Sequence, residues 1–152
     1  MPRIEQSLMI DAPVERVYAI ARDVEKFPSY MDDLESLTVL ERSDDGNRTV
    51  TKWVGLVRQF KMKLKWTQED VWDPATHRDD FKALEGDVDE LSGYWQFTEA
   101  NGNTRFDSLV DYEVNVPLVG ALVKQIIRKL MEQNLDAQMR AIKAEAEKAG
   151  LF

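Results

Sequence analysis

Tyr30, Arg58, Glu85 and Tyr112 are the side chains of this sequence best suited to act on a small molecule. A phenol can pass a proton, a guanidinium can hold an enolate or carboxylate, and a carboxylate lifted toward neutrality by burial can serve as a general base. Each also has a plain structural reading. Glu85 precedes Gly86 at a strand end, at the rim of any pocket, where carboxylates are usually solvated. Arg58 follows Gly55 in an uncertain turn, and buried tyrosines are common core residues. The single histidine, His77, lies between Asp73-Pro74 and Arg78-Asp79 in a predicted surface turn and is expected to be inert. With no second histidine and no cysteine, the sequence offers no hydrolytic triad and no transition-metal site. No glycine-rich nucleotide loop occurs, so neither a cofactor nor a metal is expected.

These groups need a scaffold, and the hydrophobic pattern describes one. Ile4, Leu8 and Ile10 predict a first strand. Asp11-Ala12-Pro13 then offers a capping oxygen and a first-turn proline to a helix whose apolar stripe is Val14, Val17, Tyr18 and Ala21, and Pro28 is expected to block its simple continuation. Between Leu34 and Val114 the period becomes two, broken by Asp44-Asp45-Gly46-Asn47, Asp73-Pro74, Glu85-Gly86-Asp87 and Asn101-Gly102-Asn103. The pattern predicts strands near 35–43, 48–56, 59–72, 77–85, 91–99 and 104–115, joined as consecutive hairpins. After Pro117 a helical stripe returns through Val119, Val123, Ile126, Ile127, Leu130, Ala137 and Ala141, predicting a helix to about Lys148. A hairpin-linked sheet with one apolar face must be covered by that helix, and a curved sheet gripping a helix leaves a cavity between them.

Alternation assigns the inner face. Phe60, Met62, Leu64 and Trp66 share one strand's parity, and Phe81 and Ala83, with Glu85, share the next. Gly93, Trp95 and Phe97 follow, with Gly93 expected to leave room for something large beside Trp95, and Phe106, Ser108, Val110 and Tyr112 close the series. Trp53, Trp66, Trp95, Tyr30 and Tyr112 carry N–H or O–H groups that need partners when buried, and ligand, backbone or water can each supply them. Asn134 falls on the stripe of Ile127 and Leu130 and aims an amide at the sheet. The expected ligand-binding set is therefore Tyr30, Trp53, Phe60, Met62, Leu64, Trp66, Phe81, Trp95, Phe97, Ser108, Tyr112, Ile127, Leu130 and Asn134.

The bulk numbers narrow the partners. The 152 residues suit one domain, with 43% hydrophobic and 32% charged residues. A formal charge of -8 repels phosphate backbones, so nucleic acid is not an expected partner. The basic run Lys61, Lys63 and Lys65 alternates with apolar residues, as the wet face of a strand does. No apolar run reaches spanning length, which leaves only peripheral membrane contact, and the lack of cysteine accords with a cytoplasmic setting. The oligomeric state, monomer or weak dimer, is left open.

Several fragments, in this order and spacing, resemble the helix-grip superfamily of START-like (SRPBCC) proteins, and within it the polyketide cyclase and dehydrase branch, related to coenzyme Q-binding proteins. They are Asp11-Ala12-Pro13 with Val17, Phe27-Pro28-Ser29-Tyr30-Met31, Leu84-Glu85-Gly86, Gly93-x-Trp95-x-Phe97, Thr104-Arg105-Phe106 leading to Val110-Asp111-Tyr112, and Pro117-Leu118-Val119-Gly120. The resemblance implies an α+β helix-grip fold. Its seven-stranded antiparallel sheet wraps a long C-terminal helix, with two short helices near the start and a pocket for hydrophobic or aromatic ligands under the last helix. Three functions stay open. The first is binding or transport of a lipid, quinone or polyketide-like aromatic, and the second is an aromatase/cyclase-like or dehydratase-like enzyme using Tyr30, Arg58, Glu85 or Tyr112. The third is an interaction module presenting Leu135, Met139 and Leu151-Phe152.

Overall fold

A computed structural model describes residues 2–57, 61–113 and 121–149, without the side chains of Val57, Met62, Ala121, Leu122, Val123 and Ala149. Strand β1 (Arg3–Ile10) leads to helix α1 (Val14–Arg22), a 3₁₀ turn at Val24–Lys26 and the short helix α2 (Phe27–Tyr30). Six strands follow: β2 (Leu34–Arg42), β3 (Arg48–Val57), β4 (Met62–Asp73), β5 (Arg78–Gly86), β6 (Glu90–Ala100) and β7 (Asn103–Glu113). Helix α3 (Ala121–Ala149) ends the described chain.

The strands form one antiparallel sheet in the order β1-β7-β6-β5-β4-β3-β2. Each strand from β2 to β6 pairs with its successor, as hairpin turns dictate. The β6–β7 turn shows why: Asn101 and Gly102 both adopt positive φ, 53° and 85°, and Ala100 faces Asn103 across the turn. Two such residues match the right-handed strand twist, and Asn-Gly is the dipeptide that tolerates them. Because β1 pairs with β7, β1 and β2 lie at opposite edges, and α1 and α2 span the gap between them.

Helix α1 starts at Pro13, whose carbonyl accepts from the N–H groups of Arg16 and Val17. The expected Asp11 cap does not form. The Asp11 backbone N–H instead donates to Glu147 Oε2 at 2.9 Å, tying the start of α1 to the end of α3. Pro28 does not simply block helix after α1; it occupies the first turn of α2, where a missing N–H costs nothing.

Helix α3 is anchored along the β1 edge. Gln6 Nε2 donates to the Glu132 carbonyl (3.0 Å), Arg128 to the Arg3 carbonyl (2.9 Å) and Lys143 Nζ to the Met9 carbonyl (2.9 Å). Its buried face differs from the predicted stripe. Met139, Ile142 and Ala146 are buried, whereas Ile126 is exposed. Met139 therefore belongs to the core and not to an outward contact patch, and Leu135, one turn earlier, lines the cavity described below. Leu151 and Phe152 lie outside the described residues. The core itself joins Val17, Tyr18 and Ala21 of α1 to Phe27, Phe97, Phe106 and the α3 residues. Lys61, Lys63 and Lys65 are exposed, as alternation requires, and Lys63 pairs with Glu35 at 2.8 Å.

Candidate functional site: a tryptophan-walled cavity with a buried acid pair

Since α3 is held against β1, the concave face of β3 to β6 is left partly uncovered. A cavity of about 760 Å³ fills the interval, within the usual size of a small-molecule site. All four tryptophans of the chain, Trp53, Trp66, Trp72 and Trp95, line it, with Phe27, Tyr30, Leu64, Phe81, Ile127, Leu130 and Asn134. The rings brace one another. Trp53 and Trp66, paired across β3 and β4, stack at 5.6 Å and 14°, and Phe27 lies 6.1 Å from Trp53 and 6.3 Å from Trp95.

Not every residue expected at the site reaches it. Phe97, Ser108 and Tyr112 are buried on the inner face but do not line the cavity. Phe97 is consumed by packing on Phe106, with ring centroids 4.5 Å apart. Ser108 sits opposite Trp95 on the neighbouring strand, and its buried Oγ has no hydrogen-bond partner among the described residues. Burial raises the Tyr112 pKa, opposed by the nearby Arg128 guanidinium to which its hydroxyl is bonded. Arg58 and Phe60 lie outside the described residues, as does the side chain of Met62.

Glu85 is exposed and away from the cavity, contrary to its expected parity with Phe81 and Ala83. The cause is a register shift: Gln68 pairs with Ala83 but Thr67 with Glu85, so Leu84 is the extra residue of a β-bulge. A bulge reverses the faces beyond it. His77 is less of a surface turn than its neighbours predict. It has φ 55°, its Nε2 lies 2.6 Å from Glu15 Oε1, and its ring is set edge-on to Tyr18 at 5.2 Å. It still does not line the cavity. Gly93, expected to leave room beside Trp95, serves the sheet instead: a Cβ there would stand 1.9 Å from the Leu109 carbonyl oxygen of β7.

The polar part of the site is one that sequence parity puts within reach. Along β4 the inner series continues past Trp66 to Gln68, Asp70 and Trp72, and Asp79 on β5 shares the parity of Phe81. Gln68, Asp70 and Asp79 all border the cavity, with residue exposures of 7%, 3% and 1%. They form a chain: Trp66 Nε1 donates to Gln68 Oε1 (3.0 Å), Gln68 Nε2 donates to Asp70 Oδ1 (2.9 Å), and Asp70 is hydrogen-bonded to Asp79. Trp53 Nε1 donates separately to Thr51 Oγ1 at 2.7 Å. These two indoles thus find their partners within the protein.

A bond between two carboxyl groups needs a proton on one of them. Burial raises both pKa values, and Asp79, which also faces the charge of Asp70, lies well above the ordinary carboxylate range. Among the described residues, Asp79 Oδ1 has no nitrogen or hydroxyl donor. Tyr30, which also lines the cavity, has a buried Oη without a partner among the described residues, and burial, followed by the nearby Glu145 and Asp23 charges, raises its pKa. Among the described residues, no group of three or more acidic or histidine side chains could hold a metal ion.

Comparison with known proteins decides the family. The profile of the polyketide cyclase/dehydrase and lipid transport family matches residues 10–139. The chain belongs to that family. Among solved structures, this family member is similar to TTHA0849 from Thermus thermophilus, at 32% identity and TM-score 0.90 over 97% of this chain and 99% of that one. It resembles in fold the Zhui aromatase/cyclase from Streptomyces sp. R1128, at 20% identity and TM-score 0.88 over 97% and 94%. A START superfamily protein from Mycobacterium smegmatis is similar at 19% identity and TM-score 0.81, over 97% and 98%. The likeness extends over the whole helix-grip architecture. No curated protein sequence matches significantly. Among the described residues, no helix is long and apolar enough to cross a membrane.

Proposed function

We propose that this protein binds and carries a hydrophobic, ring-containing small molecule of the lipid, quinone or polyketide-like aromatic class in the cavity between sheet and α3. The observation that carries this reading is the 760 Å³ space walled by all four tryptophans. Burying about 300 Å² of apolar ligand surface contributes on the order of 7 kcal/mol before association costs, so micromolar affinity needs few polar contacts.

Because every tryptophan lines the cavity, intrinsic fluorescence reports on its contents directly. A panel of fatty acids, quinones and polycyclic aromatics is expected to yield at least one compound that quenches this emission and binds one to one by native mass spectrometry. At a hundred times Kd that compound should stabilise the fold by about 2.7 kcal/mol, roughly 5 to 10 °C in Tm. A panel that neither quenches emission nor shifts Tm refutes the carrier reading.

The buried acid pair favours a second reading, aromatase/cyclase-like or dehydratase-like proton transfer on a polycarbonyl substrate. Its discriminator is turnover against stoichiometric binding of the same compound. In either case Glu85 and His77 stand apart from the cavity. Glu85→Gln and His77→Ala should each leave ligand affinity within about twofold, measured by fluorescence titration. His77→Ala should cost about 1 kcal/mol of stability, since it removes the edge contact to Tyr18 and the bond to Glu15.

A further inference from the structure

The cavity wall is apolar except at a few points, and the most enclosed of these is Asp70 with Asp79. Counting donors against acceptors there gives a clear imbalance. A carboxyl pair holding one shared proton keeps several lone-pair sites, since each carboxylate oxygen accepts up to two bonds. Gln68 Nε2 supplies a hydrogen bond to Asp70 Oδ1, and the pair's own proton supplies another. Asp79 Oδ1 receives nothing from nitrogen or hydroxyl donors. Gln68 Oε1 accepts from Trp66 Nε1 and, being an acceptor itself, has no proton to give the pair. The wall therefore offers acceptors in excess at an apolar surface, and an acceptor left unmet there costs stability.

Resting on the binding role proposed above, we infer that the Asp70–Asp79 pair recognises a hydrogen-bond donor, a hydroxyl or an ammonium, on the hydrophobic ligand and rejects ligands whose polar group is a carboxylate. A donor completes the bonding of the pair and gains a charge-assisted bond in a dry setting. A carboxylate brings a third acidic group to the same place with no donor between them, which is repulsive at short range and low dielectric. The surrounding rings of Trp66, Trp72 and Trp95 suit either donor, since their faces also attract an ammonium. This chemistry sets a requirement on the ligand that cavity size alone does not: a polycyclic or chain-like body with at least one O–H or N–H.

The test uses one ring system with interchangeable head groups: 9-methylanthracene, 9-anthracenemethanol, 9-(aminomethyl)anthracene and anthracene-9-carboxylate, titrated by tryptophan quenching at pH 7. The alcohol or the amine should bind at least about tenfold more tightly than the methyl compound, and whichever leads identifies the donor. The carboxylate should bind more weakly than the methyl compound. Asp79→Leu, which keeps bulk and removes the acceptor, should abolish the preference, so that alcohol and amine bind no more tightly than the methyl compound does to the same variant. If the methyl compound binds but neither donor exceeds it, or the carboxylate equals the alcohol, the inference fails while the carrier reading stands. The same holds if the preference survives in a folded Asp79→Leu protein. If none of the four binds, the inference fails, and the carrier reading is decided by the wider panel of fatty acids, quinones and polycyclic aromatics. The wild-type series decides the matter even if the variant does not fold.

Discussion

Trp95→Ala should lower the stability of the protein by about 3 to 5 kcal/mol and weaken the binding of a cavity ligand at least tenfold. The ring is 7% exposed and stands at a junction. Phe27 from α2, Phe81 from β5, Phe97 from its own strand and Phe106 from β7 surround it at centroid distances of 6.3, 6.4, 6.4 and 5.3 Å. Removing it unseats contacts to four elements at once, which a core ring of this size makes costly. The ring also lines the cavity, so the void left behind joins space that exists already. That merger limits local collapse, because the neighbours are held by the sheet on one side and by α2 on the other. Urea denaturation gives the stability term, and a midpoint shift at unchanged slope shows that the folded state alone was weakened. Titration of the folded variant with a fluorescent polycyclic ligand gives the affinity term. A stability loss with unaltered affinity would return Trp95 to the core and remove it from the binding wall.

Much of this architecture is legible in the sequence because strands and turns are written locally. The period-two aromatics of β4, β6 and β7 and the Asn101-Gly102 turn each specify their geometry with residues only a few positions apart. What escapes such a reading is set by partners distant in sequence. Nothing in Leu84-Glu85-Gly86 announces that β4 skips Leu84, yet that skip decides which way Glu85 points. Gly93 reads as space for a ring, whereas its lack of a side chain admits the backbone of the neighbouring strand β7.

Helix α3 shows the same limit. Its richest apolar stretch is the early one, and extrapolating that stripe onward puts Met139 on the outside. The helix, however, turns a different line of residues to the core in its second half, where Leu135 at the cavity and Met139, Ile142 and Ala146 at i+4, i+7 and i+11 meet α1 and β1. The acid pair is hidden for another reason. Gln68, Asp70 and Asp79 obey the parity of their strands, but their polarity argues for the outer face, and a reading by residue type follows polarity over position. Such conflicts between pattern and residue type gather where a structure holds something besides a core.

Asp79 is where that conflict has the largest consequence for stability. Its carboxyl is 1% exposed and faces Asp70, and both effects favour the protonated form. An acid whose pKa is higher folded than unfolded binds its proton more tightly in the native state. Its contribution to stability is complete below the unfolded value, near about 4, and is lost as pH rises through the folded value. Asparagine copies the protonated acid in shape, and its amide N–H can donate to Asp70 as the shared proton does, but it cannot ionise. Asp79→Asn should therefore match the wild type in mildly acid solution and become the more stable protein as pH rises. The difference should open with a limiting slope of about 1.4 kcal/mol per pH unit and then level off once the pair has lost its proton. Every other titrating group is present in both chains, so to a first approximation it cancels from the difference. Denaturation midpoints taken from pH 4 to pH 9 on both proteins measure it. Parallel curves would mean that Asp79 is already ionised at acid pH in the native state, and the shared proton would have to be abandoned. A divergence that opens near the unfolded value and is still growing at neutrality would show that the pair keeps its proton under ordinary conditions, supporting its use as either a hydrogen-bonding wall or a proton source for whatever occupies the cavity.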